Sequence, residues 1–375
     1  MAYTEIEAKE LVIEAGKRLL ETGLITRTWG NISARISDTQ FVVTPSGRAY
    51  ETLTPDQIVV VNIADGSFEG DIKPSGEKGI HLDAYRLHSD VNFVIHTHQT
   101  EASAMSVLGK DLEISEKNRE VLGSLAPCAK YAMCCTPKLQ KNVEKVTKKH
   151  PQAKAILLKY HGTLCMGESF EEAFAVAESL EAECEKQYKK SVTGFALKRL
   201  NPDEIRGNSV RTETGFLFTK NEEKTEFNIP VNSKELSKEV QIHQAIYENE
   251  EIQSVHFVQT PFIRLMARQG KDMRPYLEDL AQIAGINIKC MSYKKNSVEE
   301  IAEALKNSNA VLMEQEGAIC TGTKATEAEA VAMVLEKGAK TALLALCKEK
   351  IPPIKKRIAK TERNFYLSSY SKMKK

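Results

Sequence analysis

The sequence lacks the features that mark several large classes of protein. Its 52 basic and 51 acidic side chains leave a net charge of +1, so no general electric field attracts nucleic acid or an anionic membrane. No run approaches the roughly 20 apolar residues that span a bilayer. The amphipathic start, residues 1–23, has neither the basic end nor the apolar middle of a signal peptide. We therefore expect a cytoplasmic protein that binds neither nucleic acid nor membrane.

The cysteines exclude two further classes. The eight cysteines are scattered and include no CxxC pair, so neither a disulfide framework nor a cysteine-based zinc site is indicated. Reduced, mostly buried thiols fit the same cytoplasmic location. The chain has 375 residues, of which 42% are hydrophobic. This is enough for two or three domains with packed cores.

Hydrophobic periodicity predicts an α/β fold. Four segments show the 3.6-residue period of helices: residues 4–22, 76–88, 137–149 and 169–190. Short runs rich in β-forming residues lie between them, at residues 41–44, 58–63, 92–96 and 155–162. Turn-forming stretches such as TPSG, ADG and KPSG separate these runs, so we expect helices that flank a sheet.

The second half of the chain repeats part of the first. Three blocks match in the same order: residues 75–81 with 237–243, 96–112 with 257–273, and 155–181 with 310–336. The last pair aligns without a gap over its whole length. Ordered matches across separate blocks indicate a duplicated domain. We call the two occurrences the first copy and the second copy.

The most informative differences between the two copies are three replaced histidines. Three histidines of the first copy are replaced in the second: His96 by Phe257, His98 by Gln259, and His161 by Glu316. They are lost together while the surrounding glycines and apolar residues persist, which indicates a shared role. His81, by contrast, persists as His243, and we predict that it is a packing residue of a helix.

The spacing of the lost histidines predicts a metal site. Residues i and i+2 of a strand point to the same face, so His96 and His98 can offer two imidazole nitrogens to one ion. His161 follows a second strand-like run, immediately before a glycine. Three neutral imidazoles suit Zn²⁺ and leave a fourth position for water or substrate. Mn²⁺ or Fe²⁺ can bind the same set.

Five stretches of the first copy carry a resemblance to a known family. They are TWGNISAR (28–35), VVTPSGRAYETLTPDQIVVVN (42–62), GDIKPSGEKGIH (70–81), VIHTHQTEASA (94–104) and YHGTLCMGESFEEAF (160–174). In this order they resemble the class II aldolase/adducin family, in particular its L-fuculose-phosphate aldolase-like members. The resemblance implies a layered α/β/α domain with a central, mostly antiparallel sheet, duplicated in tandem. Residues 1–200 would be the catalytic domain, and residues 211–375 a degenerate, non-catalytic copy.

The same resemblance implies roles for individual residues. It assigns the metal to His96, His98 and His161, and the catalytic carboxylate to Glu77. Six residues match the family's phosphate-binding loops: Gly30, Asn31, Ser46, Gly47, Ser75 and Gly76. Gly76 stands where the family has a second serine, which removes one hydroxyl donor. Small side chains and backbone N–H groups in such stretches can form an anion cradle without net charge.

The implied reaction is the reversible cleavage of a small ketose phosphate, similar to fuculose 1-phosphate, to dihydroxyacetone phosphate and an aldehyde. A metal ion would act as a Lewis acid while Glu77 transfers a proton. Sugar-phosphate 4-epimerases and sugar-acid phosphate decarboxylases of the same family are alternatives. An adducin-like binding or scaffold protein without catalysis is an alternative from another class.

Two further expectations concern assembly and the aldehyde. The family's cyclic assembly implies that the degenerate copy takes the place of a neighbouring subunit, so we expect a homodimer with a pseudo-fourfold arrangement. The family's tyrosine that protonates the aldehyde has no match in residues 109–125. Tyr366 and Tyr370, near the end of the chain, are candidates to replace it.

Overall fold

The computed structural model describes residues 2–25, 29–194, 206–229, 236–324, 326–348 and 351–368. The chain divides into two compact units, of which the first extends to Ser191 and the second runs from Val192 to Leu367. The first unit holds the first copy and the second unit holds the second copy. Among the described residues, no helix is both long and apolar enough to cross a membrane.

The first copy is built on a seven-stranded sheet in the order β3-β2-β1-β4-β9-β8-β7. Its strands are β1 (Gly30–Arg35), β2 (Gln40–Val43), β3 (Val59–Asn62), β4 (Phe93–Thr97), β7 (Cys128–Ala129), β8 (Ala155–Leu158) and β9 (Thr163–Gly167). A separate two-stranded ribbon joins β5 (Leu112–Glu113) and β6 (Leu125–Ala126). Neighbouring strands of the main sheet are antiparallel except β7 and β8.

Helices cover this sheet, and local capping explains where several begin. They are α1 (Glu5–Glu21), α2 (Lys78–Leu87), α3 (Thr100–Ser106), α4 (Arg119–Leu122), α5 (Pro137–Lys149) and α6 (Phe170–Ser191). The side chain of Thr4 caps α1 in a capping box with Glu7. Thr136 caps α5, and Pro137 occupies its first turn, where proline is favoured. A core cluster of apolar residues from β2, β3, β4, β8 and β9 packs with residues of α2 and α5.

The second copy has a sheet of the same strand order, β12-β11-β10-β13-β16-β15-β14. Its strands are β10 (Asn208–Arg211), β11 (Gly215–Lys220), β12 (Glu223–Asn228), β13 (Ser254–Val258), β14 (Cys290–Met291), β15 (Ala310–Met313) and β16 (Gly317–Gly322). Its helices are α7 (Lys238–Tyr247), α8 (Pro261–Ala267), α9 (Glu278–Ile283), α10 (Val298–Ala304), α11 (Glu327–Cys347) and α12 (Lys356–Ser368). Its core cluster includes residues of α7 and α10, the counterparts of α2 and α5.

Strand register supports the alignment of the two copies. Ile95 pairs with Cys165 in the first copy, and His256 pairs with Cys320 in the second. These are the pairs that the ungapped repeat requires. The predicted fold class, a tandem α/β domain with a mostly antiparallel sheet flanked by helices, is confirmed.

The structure corrects our treatment of the GNIS motif as a loop. Residues 30–33 form most of β1, a central strand that pairs on both sides. In the second copy β10 takes the place of β1, although its residues do not repeat the GNIS motif. Arg35 donates to three backbone carbonyls near the end of α2, and Arg211 makes the same pattern near the end of α7. A strand rich in small polar residues has a weak hydrophobic pattern, so its pairing partners decide its structure.

Candidate metal and active site

Strand β4 positions two of the predicted metal ligands. His96 lies within the strand, and Val94, two residues earlier, belongs to the core cluster shared with α2 and α5. His98 lies just beyond the end of the strand. Alternate residues of a strand share a face, so both imidazoles lie on the side that α2 covers. His96 is fully buried, and His98 is partly exposed.

A tight connection between β8 and β9 brings His161 to the same place. The N–H of His161 donates to the carbonyl of Leu158 at 3.0 Å. Tyr160 has a φ of +63°, a left-handed conformation that is uncommon for a residue other than glycine. At Gly162 a Cβ atom would lie 2.2 Å from the carbonyl oxygen of Thr97. Only glycine therefore lets this turn approach the end of β4 closely enough.

The three imidazoles and Glu77 converge on one point. The Nε2 atom of His96 lies 3.2 Å from that of His98 and 3.1 Å from that of His161. Glu77, immediately before α2, places Oε2 3.1 Å from His96 Nε2 and Oε1 3.2 Å from His161 Nε2. All four donor groups lie within 4.8 Å of one another. The structure thus brings together the four residues that the sequence analysis assigns to metal binding and catalysis.

This set of donors fits a divalent metal ion. The Nδ1–H of His96 donates to the carbonyl of Thr163 at 2.7 Å, which leaves the Nε2 lone pair directed at the other donors. A tetrahedral zinc ion with ligand bonds of about 2.0–2.1 Å holds its ligand atoms roughly 3.3 Å apart. The observed separations between imidazole nitrogens, 3.1 and 3.2 Å, are close to that value. Three imidazoles with a fourth position beside them resemble the catalytic class of zinc site.

Glu77 is held in its charged form. Burial raises the pKa of the Glu77 carboxyl group. When Nε2 of His96 and of His161 is protonated rather than bound to a metal ion, charge attraction and hydrogen bonds from the two rings outweigh burial and hold the pKa of Glu77 well below its usual range. Glu77 is therefore a carboxylate at neutral pH. That form can accept a proton from a substrate or contact a cation.

Asn31 faces Glu77 rather than solvent. It pairs directly with His96 across β1 and β4, and its Nδ2–H donates to Oε2 of Glu77 at 3.2 Å. Its Oδ1 lies 2.5 Å from Nε2 of His81. Only 4% of Asn31 is exposed. Its carboxamide is thus engaged by two protein groups, and its contribution to phosphate binding stays a prediction.

His81 is a residue of this site that the sequence analysis missed. The residue is fully buried, and its Nδ1 lies 2.6 Å from Oγ of Ser33, which also contacts the hydroxyl of Tyr85 at 2.7 Å. Burial lowers the pKa of His81 to about 3, so the ring is neutral. Packing accounts for only part of its contacts. The available signal was its position four residues after Glu77, one helical turn away.

The predicted phosphate-binding stretches lie next to one another. The N–H of Ser75 donates to the carbonyl of Thr44, and the N–H of Ser46 donates to the carbonyl of Lys73, each at 3.0 Å. These bonds align TPSG with KPSG. The hydroxyl of Ser75 accepts the N–H of Glu77 at 3.2 Å, which joins the pair of stretches to the catalytic candidate.

The remaining predicted loop residues are glycines. Gly30 opens β1, and Gly47 closes the TPSG turn. At Gly76, where the family has a serine, a Cβ atom would lie 2.8 Å from Sγ of Cys135. The Cys135 thiol therefore lies where a side chain at position 76 would begin.

The equivalent position in the second copy is filled by charged side chains. Glu239 and Glu316 stand where the first copy has Glu77 and His161. Nε of Arg206 lies 2.9 Å from Oε2 of Glu316, and its NH1 lies 4.0 Å from Oε2 of Glu239. Nζ of Lys220 lies 2.8 Å from the same oxygen of Glu239. Two side-chain cations thus neutralise two carboxylates where the first copy has its histidines.

Glu239 lies in the first turn of α7 but does not cap that helix. Ser237 is the N-cap of α7, because its side chain accepts the N–H of Val240. Glu239 instead accepts the backbone N–H of Gly207 at 2.5 Å in addition to its ion pairs. A carboxylate held by a backbone donor and two cations is fully engaged within its own copy.

The position of Asn31 is also remodelled. Gly207 replaces it, and a Cβ atom there would lie 2.2 Å from Cζ of Phe218. The Phe218 ring fills the space and packs edge-on against His243, with 5.1 Å between ring centroids. His243 still contacts Ser209 at 2.7 Å, and burial lowers its pKa to about 3.

A hairpin turn replaces the TPSG segment. In the second copy β11 leads into β12 through Asn221 and Glu222, whose φ angles are +51° and +70°. Two consecutive left-handed residues are the signature of a type I′ turn. In the first copy residues 44–58, with TPSG at their start, connect the corresponding strands.

The tyrosines proposed for aldehyde protonation are not supported by the structure. Tyr366 lies in α12, is buried, and donates its hydroxyl to Oε1 of Glu327 at 3.2 Å. Tyr370 lies outside the described residues. The source of that proton in the first copy stays open to experiment.

Comparison with known proteins gives relatives for about half of the chain. The chain is 30% identical over 198 residues to 5-deoxy-D-ribulose 1-phosphate aldolase of Bacillus thuringiensis serovar kurstaki, covering 52% of this chain and 91% of that protein. It is 29% identical over 200 residues to L-fuculose phosphate aldolase of Haemophilus influenzae, covering 53% and 90%. Among solved structures, an L-fuculose 1-phosphate aldolase matches with 32% identity and a TM-score of 0.46, covering 51% of this chain and 88% of that one.

A match to a protein-family model covers both copies, including most of the half of the chain that these relatives do not cover. The model of the class II aldolase and adducin N-terminal domain matches twice, at residues 10–188 and again at residues 209–343. The two matches coincide with the two copies found from the internal repeat. The chain therefore belongs to the class II aldolase and adducin N-terminal domain family.

Proposed function

We propose that the first copy is a metal-dependent aldolase that reversibly cleaves a small ketose phosphate to dihydroxyacetone phosphate and an aldehyde. The observation that carries the proposal is the convergence of three imidazoles and an ionised carboxylate, with neighbouring donor atoms 3.1–3.2 Å apart. Relatives that act on 5-deoxy-D-ribulose 1-phosphate and L-fuculose phosphate support the substrate class.

In this proposal His96, His98 and His161 bind the metal, with Zn²⁺ preferred and Mn²⁺ or Fe²⁺ accepted by the same nitrogens. When bound, the ion supplies Lewis-acid stabilisation of negative charge on a substrate oxygen. The hydrogen bond from His96 to the Thr163 carbonyl supports this role, because it fixes the tautomer that exposes Nε2 to the ion.

Glu77 moves the proton. During cleavage the bond between C3 and C4 of the ketose breaks, its electron pair stays on C3, and the C4 hydroxyl gives its proton to water as the aldehyde forms. The Glu77 carboxylate takes up a proton from water and, then acting as the acid, delivers that proton to C3. In the synthetic direction its carboxylate removes that proton.

The adjoining stretches would bind the substrate phosphate through small side chains and backbone N–H groups. The residues assigned to this role are Gly30, Asn31, Ser46, Gly47, Ser75 and Gly76. The hydrogen bonds that align TPSG with KPSG and join Ser75 to Glu77 support it, because they bring phosphate and proton-transfer groups into one region.

For the second copy we propose a non-catalytic role as a partner domain. Its Phe257 and Gln259 are not imidazoles, and its Glu239 is already paired with Arg206 and Lys220. Such a domain can take the place of a neighbouring subunit, so the proposed assembly is a homodimer with pseudo-fourfold arrangement. Light scattering should find a dimer, and an active monomer would contradict this part of the proposal.

Metal content and product analysis test the catalytic proposal together. Dialysed protein should retain about one zinc ion per chain, since one copy has the three-imidazole set. A panel of four- to six-carbon ketose 1-phosphates should include one that yields an aldehyde. The variant Glu77→Gln should keep the metal and lose turnover by roughly 10²- to 10⁴-fold. The control variant His96→Ala should lose both.

Other outcomes point elsewhere. A protein that holds no metal and cleaves no ketose phosphate would favour the adducin-like scaffold. An epimerised or decarboxylated product would favour the corresponding enzymes of the family. Full turnover in Glu77→Gln would remove Glu77 from the mechanism.

A further inference from the structure

A row of buried polar groups extends from Glu77 away from the three imidazoles. Four successive contacts form it: Glu77 Oε2 to Asn31 Nδ2 at 3.2 Å, Asn31 Oδ1 to His81 Nε2 at 2.5 Å, His81 Nδ1 to Ser33 Oγ at 2.6 Å, and Ser33 Oγ to the Tyr85 hydroxyl at 2.7 Å. His81 and Ser33 are fully buried, and only 2% of Tyr85 is exposed. The row therefore runs through the interior of the domain.

The chemistry of the end groups fixes the direction of each hydrogen bond. A carboxylate only accepts, so the side of Asn31 that faces Glu77 must be its NH₂ group. Asn31 Oδ1 then faces His81 and only accepts, so Nε2 of His81 carries the proton. The ring is neutral, so Nδ1 is an acceptor and receives the hydroxyl hydrogen of Ser33. Each donor in the row meets one acceptor.

We propose that His81 is a positioning residue for Glu77: its Nε2–H locks the Asn31 carboxamide, which in turn holds Oε2 of Glu77 in place. This inference rests on the proposed function of the site. An asparagine amide can rotate by half a turn, which would point its oxygen at the Glu77 carboxylate and repel it. The imidazole N–H prevents that rotation, because the rotated amide would present a donor to a donor.

The second copy separates this role from packing. Ser209, His243 and Tyr247 repeat the inner part of the row, with contacts of 2.7 and 2.9 Å. Gly207 has no carboxamide, and the Phe218 ring fills its space, so the outer part of the row is absent from this copy. In the second copy the histidine therefore keeps its serine contact, and in the first copy it has the additional partner that reaches Glu77.

Two substitutions separate the contributions of the two ring nitrogens of His81, Nδ1 and Nε2. Asparagine places its amide near the position of ring Nδ1, and glutamine places its amide near Nε2. His81→Asn should therefore keep the Ser33 contact and lose the Asn31 contact, whereas His81→Gln should keep a donor for Asn31. We expect His81→Asn to lower kcat roughly 10- to 100-fold, the usual loss when a group that orients a metal-site residue is removed. KM and metal content should change by less than about threefold.

The matched control is the same change in the other copy. His243→Asn removes a buried histidine from the same Ser–His–Tyr arrangement and should leave kcat unchanged. His81→Gln should restore most of the turnover that His81→Asn loses. Unchanged kcat in His81→Asn, or an equal fall of kcat in His81→Asn and His243→Asn, would overturn the inference. If His81→Asn does not fold, Asn31→Ser replaces it, with the same expected loss, and unchanged kcat would again overturn it.

A measurement without turnover keeps this inference separate from the proposed function. In protein labelled with ¹⁵N-asparagine and freed of metal, the side-chain amide resonances of Asn31 should shift in His81→Asn and stay in place in His243→Asn. If the wild type cleaves no ketose phosphate but these resonances respond, the aldolase assignment fails and the positioning contact stands. If they do not respond in His81→Asn, the positioning role of His81 is overturned even in an active aldolase.

Discussion

In the first copy three imidazoles and a carboxylate surround a point where a cation can bind. In the second copy the guanidinium of Arg206 and the ammonium of Lys220 already lie against the carboxylates of Glu239 and Glu316. A buried carboxylate is costly to leave without a partner, and in the second copy side-chain cations supply that partner. The comparison teaches that the second copy differs from the first by added cations as well as by missing imidazoles, because its acids need a countercharge.

The framework around the two positions has changed far less. Tyr160 and Gln315, each just before the residue that enters the site, share the left-handed conformation. Arg35 and Arg211 each donate to three backbone carbonyls near the end of the helix that follows the strand, α2 in the first copy and α7 in the second. These contacts serve packing in either copy, so they persist without the site.

The largest expected effect comes from giving the first copy a residue of the second. His98→Gln gives the first copy the glutamine that the second copy has at the equivalent position, 259, and removes one imidazole donor. We expect metal affinity and turnover each to fall by more than roughly 100-fold, because a lost ligand should cost at least as much as a lost orienting group. Metal analysis after dialysis and an aldehyde-release assay measure the two quantities.

The reciprocal change is its control. Gln259→His restores one imidazole to the second copy, but Phe257 and Glu316 remain and Arg206 still occupies the position. Metal content should therefore stay at the wild-type value. A second equivalent of zinc in Gln259→His would mean that the two copies differ by less than their contacts indicate.

A smaller effect tests the side-chain cations of the second copy. Glu239 is 4% exposed, so Glu239→Gln leaves Arg206 and Lys220 short of one buried countercharge. We expect the free energy of unfolding of the second copy to fall by about 3 kcal/mol, the usual result of breaking a buried pair on one side. Turnover by the folded protein should not change. Urea unfolding followed by circular dichroism measures the loss.

An exposed pair in the same copy provides the comparison. Lys306 and Glu303 form an ion pair in which both side chains are more than 60% exposed. Glu303→Gln should leave the denaturant midpoint nearly unchanged, because solvent screens such pairs. Equal losses of unfolding free energy in Glu239→Gln and Glu303→Gln would show that the ion pairs of Glu239 stabilise the second copy no more than an exposed ion pair does.

Part of this comparison could be predicted from sequence, and its limits have physical causes. The histidine trio is recognisable because the repeat reveals their joint loss, and the helix predicted at residues 137–149 from its period agrees with α5 (Pro137–Lys149). The contact of Arg206 with Glu316 joins residues 110 positions apart, so no local pattern reports it. The contact of the Phe218 ring with Gly207 depends on how β10 pairs with β11, a register that hydrophobic periodicity alone does not give.

The buried histidines shared by both copies give a pH-dependent prediction. His81 and His243 each have a pKa of about 3 in the folded protein, against about 6.5 for an unperturbed histidine. A lowered pKa means that the unfolded chain takes up protons between these values while the folded protein does not, so stability falls as pH falls below about 6.5. Each histidine should contribute about 2 kcal/mol of the loss between pH 7 and pH 5.

Variants in each copy isolate this contribution. Metal-free His81→Asn and His243→Asn should each lose about 2 kcal/mol less than the wild type between pH 7 and pH 5, since asparagine does not titrate. Urea unfolding at both pH values measures the difference. A variant that loses as much stability as the wild type would show that its histidine is already protonated in the folded state or shielded in the unfolded one.

The smallest expected effect concerns the hairpin that replaces the TPSG segment. Glu222 has a φ of +70°, where a side chain is unfavourable, and Asn221 before it is well suited to the first position of a type I′ turn. Glu222→Gly creates the Asn-Gly pair that such turns prefer and should raise the free energy of unfolding of the second copy by about 0.5–1 kcal/mol. The neighbouring change Glu223→Gly, within β12, should lower it by a similar amount, because glycine weakens a strand. Denaturant midpoints of the two variants should therefore move in opposite directions, and a common direction would contradict the turn type on which the contrast between the copies rests.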